Sequence, residues 1–155
     1  MTHYLDKIDP TFKADLRASM RAVHFVADWL RSLGHDVQVH DLKVRPDPSV
    51  RFDYSDNGDL TVDGQRVEVK HLSHEFTSVQ SFKYLEPIVD KVHAYDRAEP
   101  KAAYYLLCNA SLTGCLRVFS ASHSQWHKRE TSVGNRDCLF YMCPKSVCEY
   151  VSFLP

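Results

Sequence analysis

Three charged residues around a predicted β-turn have the types and the spacing of a metal site. Asp63-Gly64 lies between two short runs of alternating apolar and polar residues, and this pattern predicts a β-hairpin with a two-residue type I′ turn. Counting outward from the turn places Asp59 opposite Glu68, with Lys70 on the same face. Two adjacent carboxylates repel each other unless a cation lies between them. The pattern therefore predicts a divalent cation, and Mg²⁺ is the first candidate because it binds one or two carboxylates and keeps several waters.

The order of these residues resembles the PD-(D/E)XK nuclease superfamily. Asp59 is followed after eight residues by Glu68-Val69-Lys70, and the predicted hairpin comes after a long amphipathic helix. The resemblance implies a single-domain α/β protein with a restriction-endonuclease-like αβββαβ core, in which helices flank a mixed central sheet. It also implies Mg²⁺-dependent hydrolysis of phosphodiester bonds in nucleic acid, with Mn²⁺ as a substitute. Gly58 stands where the superfamily's name has a proline.

The resemblance also assigns roles to the hairpin residues. Asp59 and Glu68 correspond to the carboxylate ligands of the metal, and the carbonyl of Val69 would complete the inner shell. Lys70 corresponds to the residue that orients and activates the attacking water. Cleavage would leave a 5′-phosphate and a 3′-hydroxyl, and we favour an endonuclease over an exonuclease.

Other acidic residues are candidates for supporting roles in this site. A second turn at Asn57-Gly58 would place Asp56 opposite Asp59 on the predicted active face. Asp53 is a rival first ligand, although the same turn would point it to the other side of the sheet. Asp15 lies on the first predicted helix, where the superfamily often has an acidic residue, and a surface charge is the competing interpretation.

Polar residues that follow the hairpin are further candidates. Gln80 and Tyr84 match a Gln-x-x-x-Tyr motif that resembles the RecB-like branch of the superfamily. On a helix they would lie on neighbouring faces and could contact phosphate or a metal-bound water. His71 could assist proton transfer near neutral pH.

Basic and aromatic residues provide candidate contacts to nucleic acid. A cationic stripe on a helix can contact phosphates, and interleaved aromatic residues can stack on bases. A solvated helix face and a short helix with one packed tryptophan are the competing interpretations. The candidates are Lys13, Arg17 and Arg21 on the first helix, Lys83 on the second, and Trp126, Lys128 and Arg129 near the C-terminus.

Hydrophobic periodicity and turn residues predict the order of elements. We expect a helix from Pro10 to a stop at Gly34, because apolar residues recur there at three- and four-residue spacing. A second helix is expected over 77–97, with a kink or a new start at Pro87. The predicted strands are 36–45, 50–56, 59–72, a central strand at 102–108, its neighbour at 116–120, and a terminal strand pair or strand and tail over 139–154.

Composition and charge limit the classes of protein to which the chain can belong. Its 155 residues are 44% hydrophobic and 25% charged, which predicts one globular domain spanning 1–155. The absence of a signal sequence or a long apolar run predicts a cytoplasmic protein with no membrane partner. The net charge of −1 is evidence against a protein that simply coats DNA. This leaves room for a catalytic protein with a local basic patch, or for one that depends on a homodimer or a protein partner. DNA is the favoured substrate, although the sequence does not distinguish it from RNA.

The cysteines allow a second kind of metal site. The competing interpretations are reduced thiols in the core, which we favour, and a zinc site that includes His127. Zinc ligands usually come in pairs two to four residues apart, whereas the last three cysteines are five apart. The five cysteines are Cys108, Cys115, Cys138, Cys143 and Cys148.

Two alternatives to a nuclease remain at this point. The hairpin could be a surface element whose charged residues form weak ion pairs. The same fold could also be a non-catalytic nucleic-acid- or protein-binding module, for example in defence or counter-defence, and the near-neutral charge favours this. We favour the nuclease because a module without a metal has no reason to keep two carboxylates that repel each other.

Overall fold

Two α-helices and nine β-strands form the described part of the chain, which comprises residues 10–40, 59–133 and 136–155 of a computed structural model. Side chains are described at all of these positions except 10–18, 133, 136 and 137. The helices are α1 (Pro10–Ser32) and α2 (Val92–Arg97). The strands are β1 (Val37–Val39), β2 (Leu60–Val62), β3 (Gln65–His71), β4 (Ile88–Lys91), β5 (Tyr104–Cys108), β6 (Gly114–Phe119), β7 (His127–Val133), β8 (Arg136–Met142) and β9 (Cys148–Ser152). The protein is therefore a mixed α/β fold with few helices.

Helix α1 has the bounds that its sequence predicts. It begins at Pro10, where the missing backbone N–H costs no hydrogen bond. It ends at Ser32, and Gly34 follows in the left-handed region with φ +96°. The Gly34 N–H donates to the Arg31 carbonyl at 2.9 Å, and the His35 N–H donates to the Leu30 carbonyl at 3.1 Å. The predicted glycine stop is confirmed.

The main sheet has six strands in the spatial order β1-β2-β3-β5-β6-β9. Strands β3 and β5 are parallel, and every other neighbouring pair in this sheet is antiparallel. The predicted central strand is β5, and β6 is its antiparallel neighbour, as expected. The predicted strand over 36–45 is present in its first part as β1. The predicted strand over 50–56 and the turn at 57–58 lie outside the described residues.

The β2–β3 hairpin has the predicted turn and the predicted register. Asp63 and Gly64 both have positive φ, +49° and +83°, as a type I′ turn requires. Val62 pairs with Gln65, and Leu60 pairs with Val67. Continuing this register by one residue places position 59 opposite position 68.

The two faces of the main sheet are covered by different layers. Helix α1 packs on one face, where Val26 and Leu30 meet Val67 and Val69 of β3 in a continuous apolar core. The other face carries a second core that includes Tyr105 and residues from α2, β4 and β8. Strands β4, β8 and β7 form the second, three-stranded antiparallel sheet in that order. This second face is thus covered by a second sheet together with the six-residue α2, where a longer flanking helix was expected.

The long second helix expected over 77–97 is wrong. This region contains turns and bends up to Pro87, then β4, and only the six-residue α2. Ser81 Oγ accepts hydrogen bonds from the backbone N–H groups of Thr77 and Ser78, at 2.9 and 3.0 Å. These bonds close a short local turn, and the chain continues from it as turns and bends. The strand that follows Pro87 is stabilised by pairing with β8, which local sequence cannot reveal.

The C-terminal strands do not pair with each other. Strand β8 lies between β4 and β7 in the second sheet, whereas β9 is the edge strand beside β6 in the main sheet. The predicted terminal strand pair is therefore wrong, although both runs form strands. No helix in the described ranges is long and apolar enough to span a membrane.

Candidate active site

The hairpin joins Asp59 to the backbone of β3. Asp59 directly precedes β2, and its Oδ2 accepts a hydrogen bond from the Val69 N–H at 2.8 Å. The bond fixes the carboxylate beside the peptide that links Glu68 and Val69. Asp59 and Glu68 are therefore held on adjacent strands, as the register predicted.

Glu68 is paired with Arg66, which lies two residues earlier on the same face of β3. Its Oε1 accepts hydrogen bonds from Arg66 Nε at 3.2 Å and from an Arg66 terminal nitrogen at 2.9 Å. The two side chains are only 11% and 12% exposed, so this is not the weak surface ion pair of the simpler interpretation. The guanidinium offsets much of the cost of burying the Glu68 charge. A metal ion would share Glu68 with Arg66 or displace it.

Lys70 lies where several carboxylates converge. Its Nζ is 3.5 Å from Asp90 Oδ1, and its side chain is 39% exposed. Burial alone would lower the pKa of Lys70, but the negative charges of Asp90, Glu68 and Asp59 more than offset this effect and the pKa is raised. Lys70 is therefore an ammonium at neutral pH and acts as a hydrogen-bond donor.

Asp90 is the site residue that the sequence did not predict. It lies on β4, directly after an irregularity in the pairing with β8 that begins at Ile88. Bulges of this kind re-aim a side chain and are frequent beside active sites. Asp90 Oδ2 accepts a hydrogen bond from the Tyr105 hydroxyl at 2.9 Å, and its Oδ1 accepts one from the Lys91 N–H at 2.9 Å. The β-branched run that precedes Asp90 was the available signal for a strand.

Tyr105 connects Asp90 to the central strand of the main sheet. It pairs in register with Glu68 across the parallel β3–β5 ladder, so both side chains are on the same face. Burial, together with the negative charge of Asp90, raises the pKa of Tyr105 far above its usual range. The hydroxyl is therefore a permanent donor to Asp90.

The donors fit a hard divalent cation that keeps most of its waters. Mg²⁺ needs only one or two carboxylates, and Asp59 and Glu68 are two carboxylates whose charges both act on Lys70. The Val69 carbonyl belongs to the residue whose N–H binds Asp59. Among the residues whose side chains are described, no three His, Cys, Asp or Glu are grouped to hold a metal. This holds alike for the carboxylates around Lys70 and for Cys138, Cys143, Cys148 and His127, the ligands of the alternative zinc site.

The predicted motif after the hairpin lies on the surface and not on a helix. Gln80 and Tyr84 are exposed and lie on turns and bends rather than on a helix. Lys83 is exposed beside Tyr84, with its Nζ 5.4 Å from the ring centre. His71 lies on the opposite face of β3 from Lys70, and its Nε2 is 3.1 Å from the Ala110 carbonyl oxygen. The helix expected to carry Gln80 and Tyr84 is therefore absent, and their supporting roles remain predictions.

The aromatic member of the C-terminal basic run belongs to the core. Trp126 is 8% exposed, and its Nε1 donates to Ser122 Oγ at 2.9 Å. The prediction that it stacks on bases is wrong, and the competing interpretation of a packed tryptophan after a short helical turn is confirmed. Lys128 and Arg129 are exposed on β7, where Arg129 pairs with Glu86 at 2.9 Å.

The candidates on α1 lie on the helix that covers the opposite face of the main sheet. Arg21 is exposed, while the side chains of Lys13, Asp15 and Arg17 are not among those described. Asp53 and Asp56 lie outside the described ranges, so their predicted supporting roles remain predictions.

Comparison with family models, with curated proteins and with solved structures found no match to this chain.

Proposed function

We propose that the protein is a Mg²⁺-dependent nuclease that hydrolyses phosphodiester bonds in nucleic acid. One observation carries the proposal: the hairpin holds Asp59 against Val69, between Glu68 and Lys70 on the neighbouring strand. This brings together two carboxylates, a main-chain carbonyl and an ammonium, which are the groups that metal-assisted hydrolysis needs. DNA is the favoured substrate and internal cleavage the favoured mode, and we place the activity in the cytoplasm.

Each residue of the site has a defined task in this proposal. Asp59 and Glu68 would hold Mg²⁺, with the Val69 carbonyl as a third ligand. Bound there, Mg²⁺ would lower the pKa of a coordinated water and neutralise charge on the phosphate oxygens. Lys70 donates hydrogen bonds, because its raised pKa keeps it protonated, and it orients the attacking water or a phosphate oxygen. Asp90 holds the Lys70 ammonium in place, and Tyr105 holds Asp90.

The order of elements supports a restriction-endonuclease-like core. A helix is followed by three antiparallel strands, and the third of these is parallel to the next strand of the sheet. This succession resembles αβββαβ, with β4 inserted before the short α2 in the connection between the last two strands. The fold departs from that core in one respect, because a second sheet lies on the face where the superfamily would have a helix.

Charge supports a role for a partner or a second copy in holding the substrate. The chain has 19 basic and 20 acidic residues, so it has no overall excess of positive charge to neutralise phosphates. Exposed cations such as Arg21, Lys83 and Lys128 could supply local contacts. A homodimer or a protein partner would supply the remaining positive charge that contacts the phosphates.

A cleavage assay tests this proposal. Single- and double-stranded DNA and RNA are incubated with the full chain and Mg²⁺ or Mn²⁺, and Glu68→Gln and Lys70→Met are compared with wild type. We expect wild type to cut at least one DNA substrate internally and each variant to lose at least about 100-fold in rate. Glu149→Gln is the matched control, because Glu149 is also a strand glutamate paired with an arginine but lies on β9.

The outcomes separate an enzyme from an inert hairpin. Equal cleavage by wild type, Glu68→Gln and Lys70→Met would overturn the assigned site. No metal-dependent cleavage of any substrate by the folded wild type would overturn the nuclease proposal.

A binding module is the second candidate function, and the Arg66–Glu68 pair favours it. A glutamate already bound by a buried guanidinium is less available to a metal than an unpaired one. This candidate predicts that the protein binds a nucleic acid or a protein without cutting it. Binding would then be the same for wild type and Glu68→Gln, with and without Mg²⁺.

A further inference from the structure

Two cysteines flank the short turn that connects the two sheets. Cys143 follows β8, Cys148 begins β9, and a 3₁₀ turn over Lys145–Val147 separates them. Their sulfur atoms are 3.5 Å apart, and both are free thiols. Cys143 is fully buried, whereas Cys148 is partly exposed. The fold thus places the sulfur of a partly exposed cysteine in contact with that of a fully buried one.

The two thiols differ in acidity because of this contact. The hydrogen bond from the Cys143 thiol lowers the pKa of Cys148, burial opposes this, and the positive charge of Lys145 assists it. The same hydrogen bond and burial raise the pKa of Cys143. Cys148 is therefore the sulfur that ionises first, and the thiolate is the reactive form of cysteine.

The other cysteines provide internal comparisons. Cys108 and Cys115 are paired in register on β5 and β6 and are fully buried. Burial raises the pKa of Cys115 to about 12 and that of Cys108 further, so both remain protonated. Cys138 is partly exposed, and its sulfur is 3.8 Å from the Leu139 carbonyl oxygen. Reactivity toward oxidants is thus expected at the Cys143–Cys148 contact and not at Cys108 or Cys115.

We propose that Cys143 and Cys148 are a peroxide-reactive dithiol that closes to an intramolecular disulfide. The Cys148 thiolate attacks one oxygen of a hydroperoxide, the O–O bond breaks, and the departing oxygen takes up a proton to leave a sulfenic acid and, from hydrogen peroxide, water. The Cys143 sulfur then attacks the Cys148 sulfur, the S–O bond breaks, and the thiol proton leaves with the hydroxyl as water. The dithiol loses two electrons and the peroxide gains them. Thiols such as glutathione reverse the reaction by exchange.

The cross-link would fix a turn that anchors the segment before β4. Lys145 Nζ donates to the Phe82 carbonyl at 2.9 Å, and the Cys143 N–H donates to the Pro87 carbonyl at 3.0 Å. A disulfide across this turn restricts the unfolded chain more than the folded one. The oxidised protein should therefore unfold at a higher temperature. This inference does not depend on the proposed nuclease activity.

Peptide mapping of the full chain tests the proposal. Reduced protein is treated with hydrogen peroxide, quenched with catalase, denatured and alkylated with iodoacetamide. We expect five labels before oxidation and three after it, because two of the five cysteines are consumed. Trypsin cleaves after Arg136 and Lys145, so the link should join peptide 137–145 to peptide 146–155. The melting temperature should rise by about 5 °C and return on reduction.

Variants identify the sulfurs involved. Peptide 137–145 also contains Cys138, so Cys138→Ala should keep the link and the shift in melting temperature. Cys143→Ala and Cys148→Ala should abolish both. A link that requires Cys138, a link between two chains, or oxidation of Cys148 to sulfinic acid with Cys143 still free would each overturn the proposal.

Discussion

The contacts of Lys70 determine which chemistry its side chain can perform. An ammonium held by Asp90 and influenced by two further carboxylates is a donor and not a base at neutral pH. It can orient a water molecule or bind a phosphate oxygen, but proton removal would require another group. The position of the ammonium therefore depends on its contact with Asp90, and the position of Asp90 depends on its hydrogen bond from Tyr105.

Removal of the hydrogen bond from Tyr105 to Asp90 should lower the free energy of unfolding by a measurable amount. Tyr105→Phe removes a donor from a carboxylate that is only 14% exposed, so we expect a loss of about 1.5–3 kcal/mol in the free energy of unfolding. Tyr141→Phe is the matched control, because Tyr141 donates to the exposed Asp96 at 2.7 Å and should lose less. Chemical denaturation measures both variants. Equal losses would contradict the role of Tyr105 in holding a buried charge.

Asp63, at the tip of the hairpin, predicts how the stability of the fold depends on pH. The hydrogen bonds that its carboxylate accepts from the His35 ring and from the Asp36 N–H lower the pKa of Asp63 below its ordinary value of 3.8. A lowered pKa means that the contacts stabilise the fold when the carboxylate is ionised, and that this contribution is lost as the pH falls through the lowered pKa.

Asp63→Asn isolates that contribution, because Asn-Gly suits a type I′ turn as well as Asp-Gly does. We expect wild type to melt at a higher temperature than Asp63→Asn above pH 3.8, and the difference to shrink as the pH falls below that value. Thermal unfolding over a series of pH values measures it. A difference that stays constant down to the lowest pH would show that the charge of Asp63 does not stabilise the hairpin.

At the scale of elements, predictions from sequence were correct where short-range signals decide the structure. The Asp63-Gly64 turn, the Gly34 stop and the apolar run of β5 each depend on a few adjacent residues, and each was predicted. The prediction of a helix over 77–97 was not correct, because β4 within that segment is stabilised by a partner strand about 50 residues further along the chain. The apolar spacing in that segment serves the core beneath the second sheet.

The difference between short-range signals and long-range strand pairing also explains which residues of the site could be predicted. Asp59, Glu68 and Lys70 come from one hairpin, whose register follows from its turn. Asp90 comes from the second sheet, and only the pairing of β4 with β8 brings it to Lys70. Trp126 was misjudged because a basic neighbourhood in the sequence does not reveal that a side chain is buried.

The β6–β9 pairing gives a prediction at the scale of elements. Gly114 begins β6, and a Cβ added there would overlap the hydroxyl and ring of Tyr150 on β9. We expect Gly114→Ala to lower the free energy of unfolding by about 1–3 kcal/mol, because overpacking forces a side chain to move. In a Tyr150→Ala background the same substitution should cost less than about 0.5 kcal/mol. Chemical denaturation of the four proteins checks this, and an unchanged cost would mean that Tyr150 does not occupy the space beside Gly114.

At the scale of the whole molecule, the candidate site lies where the two sheets meet. The face of β3 that carries Arg66, Glu68 and Lys70 is turned toward the second sheet, while its other face packs on α1. The site thus combines residues of one hairpin with Asp90, which comes from the second sheet. Such a site forms only when both layers are in place.

The most direct test of the account is to locate a bound metal. In NMR spectra of the full chain, Mn²⁺ broadens the backbone signals of residues near it. We predict the strongest broadening at Asp59, Glu68, Val69 and Lys70, its loss in Glu68→Gln, and no change in Glu149→Gln. Broadening centred elsewhere in the chain, or broadening at the hairpin that persists in Glu68→Gln, would contradict the claim that the Asp59–Glu68 pair is a metal site.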